Sequence, residues 1–201
     1  YHRLLHLISN AGDITVKIDL DVIFSLEPET VLIPAGPFKR GSKGRDDEPS
    51  TSPIDPYVRS SKDAPPAEQP QREVVVGPYA IGRYPVTNAQ YAAFITALNR
   101  RPPAHWLEKV PPPGLEDHPV VNVTWGDAAA YCLWLSDITG KTYRLPSEAQ
   151  WEKAARSTDG RLFPWGNRWD RNRCNTLESG LRQTTPVGTY SPDGDSVYGC
   201  G

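Results

Sequence analysis

The 201-residue sequence has no methionine, not even at position 1, so Tyr1 reads as an internal start and the chain as a piece of something longer. No apolar run approaches the ~18 residues of a spanning helix, which argues against a membrane segment. The opening Tyr1-His-Arg-Leu-Leu-His6 is too short and too polar for a signal peptide. Neither sign of charge dominates: 22 Lys and Arg face 24 Asp and Glu, for a net −2. Without a broad basic field, neither nucleic acid nor anionic lipid is expected as a partner. Cysteine is scarce: Cys132, Cys174 and Cys200 form no CxxC pair. That odd, sparse set argues against a disulfide scaffold and for a cytoplasmic chain with unused thiols. The nucleotide loops GxxxxGK[ST] and GxGxxG, the GxSxG elbow and the HExxH helix are missing too. Proline alone is in excess. The 21 prolines are about twice the usual ~5% and predict a loop-rich chain of short elements.

Residues 1–27 differ from the rest. His2, Leu5, His6 and Ser9 fit one helical face, and Ile14 to Leu20 alternate like a strand. This stretch reads as a lead-in or the tail of a preceding domain, with the principal domain at 28–201. A strand at Thr30–Pro34 is expected to end in a turn at Ala35-Gly-Pro37. Residues 39–72, rich in Gly, Pro and charge, read as a surface loop whose Lys43–Glu48 run is solvated. A second apolar run at 74–81 is broken by Gly77-Pro78.

Three helices follow, each with a capping-box signature. Thr87 with Gln90 precedes Tyr91, Phe94, Ile95 and Leu98 at the helical period. Thr124 with Asp127 opens a helix that buries Ala128, Tyr131, Cys132 and Leu135 and stops at Gly140; this cap also accounts for the Asn122-Val-Thr124 sequon. Ser147 with Gln150 opens the third, with Trp151, Ala154 and Ala155 inward. Trp151 is expected to anchor the domain, at a cost of about 3–5 kcal/mol on truncation to alanine. Arg144 is expected to be held by carbonyls or a carboxylate. Beyond residue 158 come turns and short strands. With no repeat and no β-α alternation, the fold class is an irregular α+β.

The chemistry-bearing residues are few. His2 and His6 have the i, i+4 spacing of a helical metal pair but no third ligand nearby. His105 and His118 flank the Pro111-Pro-Pro113 connector and are expected to bind loop carbonyls. Cys132 reads as an inert core thiol. Cys174, between Arg173 and a polar loop and close to Arg171, is a thiol whose pKa those arginines could lower, although a structural role is the simpler reading. The oxygen-rich Asn175-Thr-Leu-Glu-Ser-Gly180 is either a hard-cation site or an ordinary polar turn.

Taken in order, the segments carry more information. Val31-Leu-Ile-Pro-Ala-Gly-Pro-Phe38 with Gly41-Ser42, Tyr84-Pro-Val-Thr-Asn88 and His118-Pro-Val-Val-Asn-Val-Thr-Trp125 come first. Then come Arg144-Leu-Pro-Ser-Glu-Ala-Gln-Trp-Glu152, Phe163-Pro-Trp-Gly-Asn167, Cys174-Asn175 and Thr185-Pro-Val-Gly188. Over about residues 28–201 this series resembles the formylglycine-generating enzyme, or sulfatase-modifying factor, family.

The resemblance implies an α+β fold of the C-type-lectin-like kind with three helices and many loops. It also implies an oxygen-dependent oxidase that converts a protein cysteine to formylglycine with copper held by two cysteines. Cys132, Cys174 and Cys200 match neither ligand of that pair, so no catalytic residue is assigned within the chain. Copper belongs here only if sequence beyond Gly201 supplies the pair. The resemblance further implies structural calcium at Asn175, Thr176 and Glu178, with Ser179 as the alternative to Glu178. A second reading stays open: a non-catalytic, lectin-like module that binds a protein or peptide ligand and is fused to another domain. Iron-dependent sulfoxide-type chemistry is a third.

Overall fold

The computed structural model describes residues 26–42 and 68–201 in full, with the strands Leu4–Ser9 and Gly12–Lys17 ahead of them. Those strands, β1 and β2, pair antiparallel, Leu5 opposite Val16 and Leu7 opposite Ile14. The stretch expected to be helical is therefore extended through Ser9. His6 thus lies on a strand and not on a helix, and the proposed pairing with His2 falls outside the described residues. His2 itself, like the Lys43–Glu48 run, lies outside the described residues.

Two antiparallel ladders open the main body. β3 (Thr30–Ile33) pairs with β6 (Tyr79–Gly82), and β4 (Gly36–Arg40) pairs with β5 (Arg72–Val76). Gly77-Pro78 breaks the second apolar run into β5 and β6, as the sequence suggested. The expected turn at 35–37 is shorter than that, because Gly36 and Pro37 already belong to β4. Gly36 sits at φ +134°, a conformation open to glycine and strained for other residues. Ile33 and Phe38 are the buried members of β3 and β4.

The helices are α1 (Asn88–Ala97), α2 (Trp125–Thr139) and α3 (Glu148–Arg156). All three capping boxes form. The hydroxyls of Thr87, Thr124 and Ser147 accept from the backbone of Gln90, Asp127 and Gln150, whose side chains return the bond. Gly140 ends α2 in the left-handed conformation at φ +70°.

The core is aromatic. Tyr91, Phe94 and Ile95 of α1 meet Tyr131, Trp134 and Leu135 of α2, with Trp106 from the intervening loop. Phe94 lies edge-on to Tyr131 at 5.7 Å and tilted to Trp134 at 5.6 Å, while Tyr91 stacks on Tyr131 at 5.9 Å. Such offset and edge contacts are the favoured geometries of π-systems. Leu98, expected inward, is instead the C-cap residue of α1 and is 40% exposed.

α3 corrects two expectations. It packs on β4 and β5 through Lys153 and Ala154, not through Trp151, which is 63% exposed. The buried helical positions are Lys153 and Ala154, and Trp151 stands roughly 110° round the axis from the midpoint between them at about 100° per residue. Truncating Trp151 therefore loses little packing, and the large cost expected from the sequence does not apply. Arg144 is exposed, and among the described residues no carbonyl or carboxylate holds it.

Beyond α3 the chain forms turns and a single 3₁₀ turn at Leu177–Ser179, with no strand among the described residues. Phe163, Trp165 and Trp169 stack into a small aromatic cluster there, with centroids 5.4–6.3 Å apart.

Candidate functional site

The Asn175–Gly180 loop is anchored at both ends. Before it, the Asp170 carboxylate accepts from the Asn172 amide (3.0 Å) and from Arg173 Nε (3.1 Å), and Arg173 Nη1 reaches the Asp193 carbonyl. After it, the Thr184 hydroxyl meets His118 Nδ1 at 2.8 Å, and the Val187 amide donates to the Asp117 carbonyl. The loop is thereby fixed to the connector between α1 and α2. His118 binds a hydroxyl and His105 contacts the Asn122 amide group at 3.4 Å, so neither takes the loop carbonyl expected of it.

Within the loop two oxygens converge on one point. The Ser179 hydroxyl lies 3.2 Å from Asn175 Oδ1 and 2.7 Å from the Thr176 carbonyl oxygen. The Asn175 amide nitrogen donates to the Gln183 carbonyl at 2.7 Å, which fixes which end of the side chain faces Ser179. The Thr176 hydroxyl is buried and, among the described residues, has no hydrogen-bond partner of good geometry. It stands beside Glu178, whose carboxyl it helps to hold below the ordinary range. The structure thus brings Asn175 and Thr176 together, with Ser179 as the side chain between them; Glu178 is drawn in beside Thr176 and shows no contact with Asn175.

An amide oxygen, a backbone carbonyl and a nearby carboxylate are the donor types a calcium ion takes. The kind of donor fits. The charge supplied is small, and among the described residues no three His, Cys, Asp or Glu side chains gather as a metal-holding group.

The thiols behave differently from a copper pair. Cys132 is on α2, Cys174 precedes the loop and Cys200 lies near the end, and all three are free and half-buried. Burial pushes each thiol above its ordinary value, with the Thr176 and Ser196 side chains offsetting part of this at Cys174 and Cys200. The arginines that could have lowered the Cys174 pKa do not do so: Arg173 is spent on Asp170 and the Asp193 carbonyl, leaving desolvation as the largest effect, in keeping with the simpler, structural reading of this thiol.

Residues 24–200 match the family model of the sulfatase-modifying factor enzyme 1-like domain, FGE-sulfatase. The chain belongs to this family. The FGE-sulfatase match covers all three helices, both ladders of the main body and the 175–180 loop. A formylglycine-generating enzyme of Thermomonospora curvata is 32% identical across 84% of this chain and 66% of its own length. The mouse inactive C-alpha-formylglycine-generating enzyme 2 is 29% identical across 83% of this chain and 63% of its own. Among solved structures, PvdO from Pseudomonas aeruginosa superposes with a TM-score of 0.61 at 29% identity, over 84% of this chain and 66% of that one. The irregular α+β fold read from the sequence is therefore the FGE-like fold. The chain spans less than two-thirds of the length of these two curated relatives.

Proposed function

We propose that the chain is scaffold for an oxygen-dependent oxidase of the formylglycine-generating type, acting on a cysteine of a protein or peptide. The likeness to the Thermomonospora enzyme over most of this chain carries the reading. Copper chemistry of that type needs a soft thiolate pair. The three dispersed, half-buried thiols do not fit one, so no step of the oxidation is assigned to residues 1–201. What these residues do is hold a rigid aromatic core and tie the 170–190 loops to it.

A second reading, a non-catalytic ligand-binding module of a larger protein, is supported by the inactive mouse relative, which matches nearly the same share of the chain. Incubating the natural full-length protein, and separately the 201-residue chain, with copper, oxygen and a cysteine-containing peptide separates the two. Mass spectrometry should detect the aldehyde product with the full-length protein and none with the 201-residue chain. A full-length protein that binds the peptide yet makes no aldehyde supports the binding module. The cytoplasmic location and the fused domain expected from the sequence remain part of both proposals.

Calcium at Asn175, Thr176 and the Glu178–Ser179 pair is part of the same proposal. Bound there, the ion would offset the mutual repulsion of oxygens that now share one hydroxyl and would order the loop. Binding to the folded state stabilises by RT ln(1 + [L]/Kd), about 2.7 kcal/mol at a hundredfold excess over Kd. Melts in millimolar calcium should lie above melts in chelator, magnesium should act less, and Asn175→Ala should remove the difference. Coincident melts for the unaltered chain would reduce the loop to a polar turn.

A further inference from the structure

The exposure of Trp151 has a local setting. The end of β4, the start of β5 and the first two turns of α3 enclose a cleft of about 270 Å³, and the indole stands at its side. The floor is built and fully engaged. Glu152 Oε1 accepts from the Gly41 amide at 2.7 Å and from Arg156 Nη1 at 2.6 Å, and Arg156 Nη1 also reaches the Gly41 carbonyl at 3.1 Å. Gly41 is fixed in this clamp: it sits at φ +86°, and a Cβ there would come 2.4 Å from the Glu68 carbonyl oxygen. On one wall Arg40 pairs with Glu148 at 2.6 Å, and on the rim Glu68 accepts from the Ser42 hydroxyl at 3.3 Å.

Counting what is spent leaves a short remainder. Each of the three carboxylates already has a donor. The Arg72 side chain lines the cleft, is exposed and makes no hydrogen bond or ion pair among the described residues; it shares the field of Glu148 with Arg40. The unspent groups are thus a guanidinium fork, and an indole ring with its N–H. A fork of donors matches a carboxylate, and an exposed indole face takes a flat or apolar ring. Glu148 and Glu152 are paired with Arg40 and Arg156, and Glu68 on the rim is held by the Ser42 hydroxyl, so Arg72 is the guanidinium of the cleft without an ion-pair partner among the described residues.

We infer that the cleft between the β4–β5 hairpin and α3 binds an organic anion carrying a flat ring, its carboxylate on Arg72 and its ring on Trp151. The inference rests on the lining of the cleft alone and stands whether or not the protein is an oxidase.

Phenylacetate is a suitable probe, and phenylacetamide offers the same ring without charge. Titration of the 201-residue chain, followed by saturation-transfer NMR and by quenching of tryptophan fluorescence, should give saturable binding of the acid. The amide should bind roughly tenfold more weakly, as loss of one charge-assisted contact implies. Arg72→Gln and Trp151→Ala should each weaken the acid by a similar factor, Trp151→Phe should restore most of it, and Arg144→Gln, at an exposed arginine outside the cleft, should change nothing. Both cleft side chains are exposed, so these variants should melt close to the parent; should one fail to fold, the acid–amide comparison on the unaltered chain still decides. Equal binding of acid and amide, undiminished binding by the folded variants, or no saturable binding overturns the assignment.

Discussion

Phe94→Ala should destabilise the folded chain by about 3–5 kcal/mol, the range for deleting a large core aromatic. Phe94 is 0% exposed and contacts Tyr91, Tyr131 and Trp134 at centroid distances of 5.3–5.7 Å, so its removal opens a void between α1 and α2. The rings around that void are held at three points by one another and by capped helices, and they have little freedom to collapse inward. The Arg100 guanidinium, 5.3 Å from the Phe94 centroid, loses its aromatic partner as well. For a chain of this size the loss corresponds to a fall in melting temperature of roughly 6–20 °C. Leu133→Ala, at a 66% exposed position on the far side of α2, should stay within about 0.5 kcal/mol. Denaturant titrations of the two variants beside the parent make the comparison. A Phe94 variant within 1 kcal/mol of the parent would show that the α1–α2 interface does not hold the fold.

The contrast between α1 and α3 explains how far the sequence could be read. Helix starts were legible because a capping box is local: Thr87, Thr124 and Ser147 need only the residue three places on. The buried face of α1 was legible because aromatic and aliphatic residues occupy it at the helical period. α3 has no such stripe. Its interior position is taken by Lys153, which composition assigns to solvent, because the break between β3 and β4 turns the carbonyl oxygens of Pro34 and Gly36 toward it. Trp151 was misplaced for the same reason: with a lysine inward, the one large apolar side chain of the helix is left outside. The 175–180 loop was legible as a set of oxygen donors, but not its centre. Ser179 reaches Asn175 and Thr176 only because the 3₁₀ turn folds it back, and that turn has no sequence signal stronger than Gly180 in the left-handed conformation at φ +72°.

Lys153 carries the second large effect. Its side chain is 1% exposed, and its ammonium donates to the carbonyls of Pro34 at 2.6 Å and Gly36 at 3.0 Å. These carbonyls lie at the break between β3 and β4, opposite Gly77-Pro78 on the paired chain, so one side chain bridges both and locks α3 to the strands. Lys153→Met keeps the length of the stem and removes the donor, leaving two inward acceptors unpaired. At roughly 1–3 kcal/mol for each unsatisfied group, less the relief of no longer burying a charge, the net cost should be about 2–4 kcal/mol. Lys153→Ala adds a cavity and should cost more.

The pH dependence has a definite sign. Burial pushes the folded-state pKa of Lys153 below the ordinary 10.5, so in the window beneath 10.5 the unfolded chain binds more protons at this position than the folded one. Stability contributed by Lys153 therefore rises as pH climbs through the folded pKa toward 10.5. The gap between the parent and Lys153→Met should widen from pH 7 to pH 10, other alkaline titrations cancelling in the difference. A gap that narrows over that range would mean that the two carbonyls hold the ammonium more strongly than burial penalises it. A gap below 0.5 kcal/mol at pH 7 would remove Lys153 as the link between α3 and the strands.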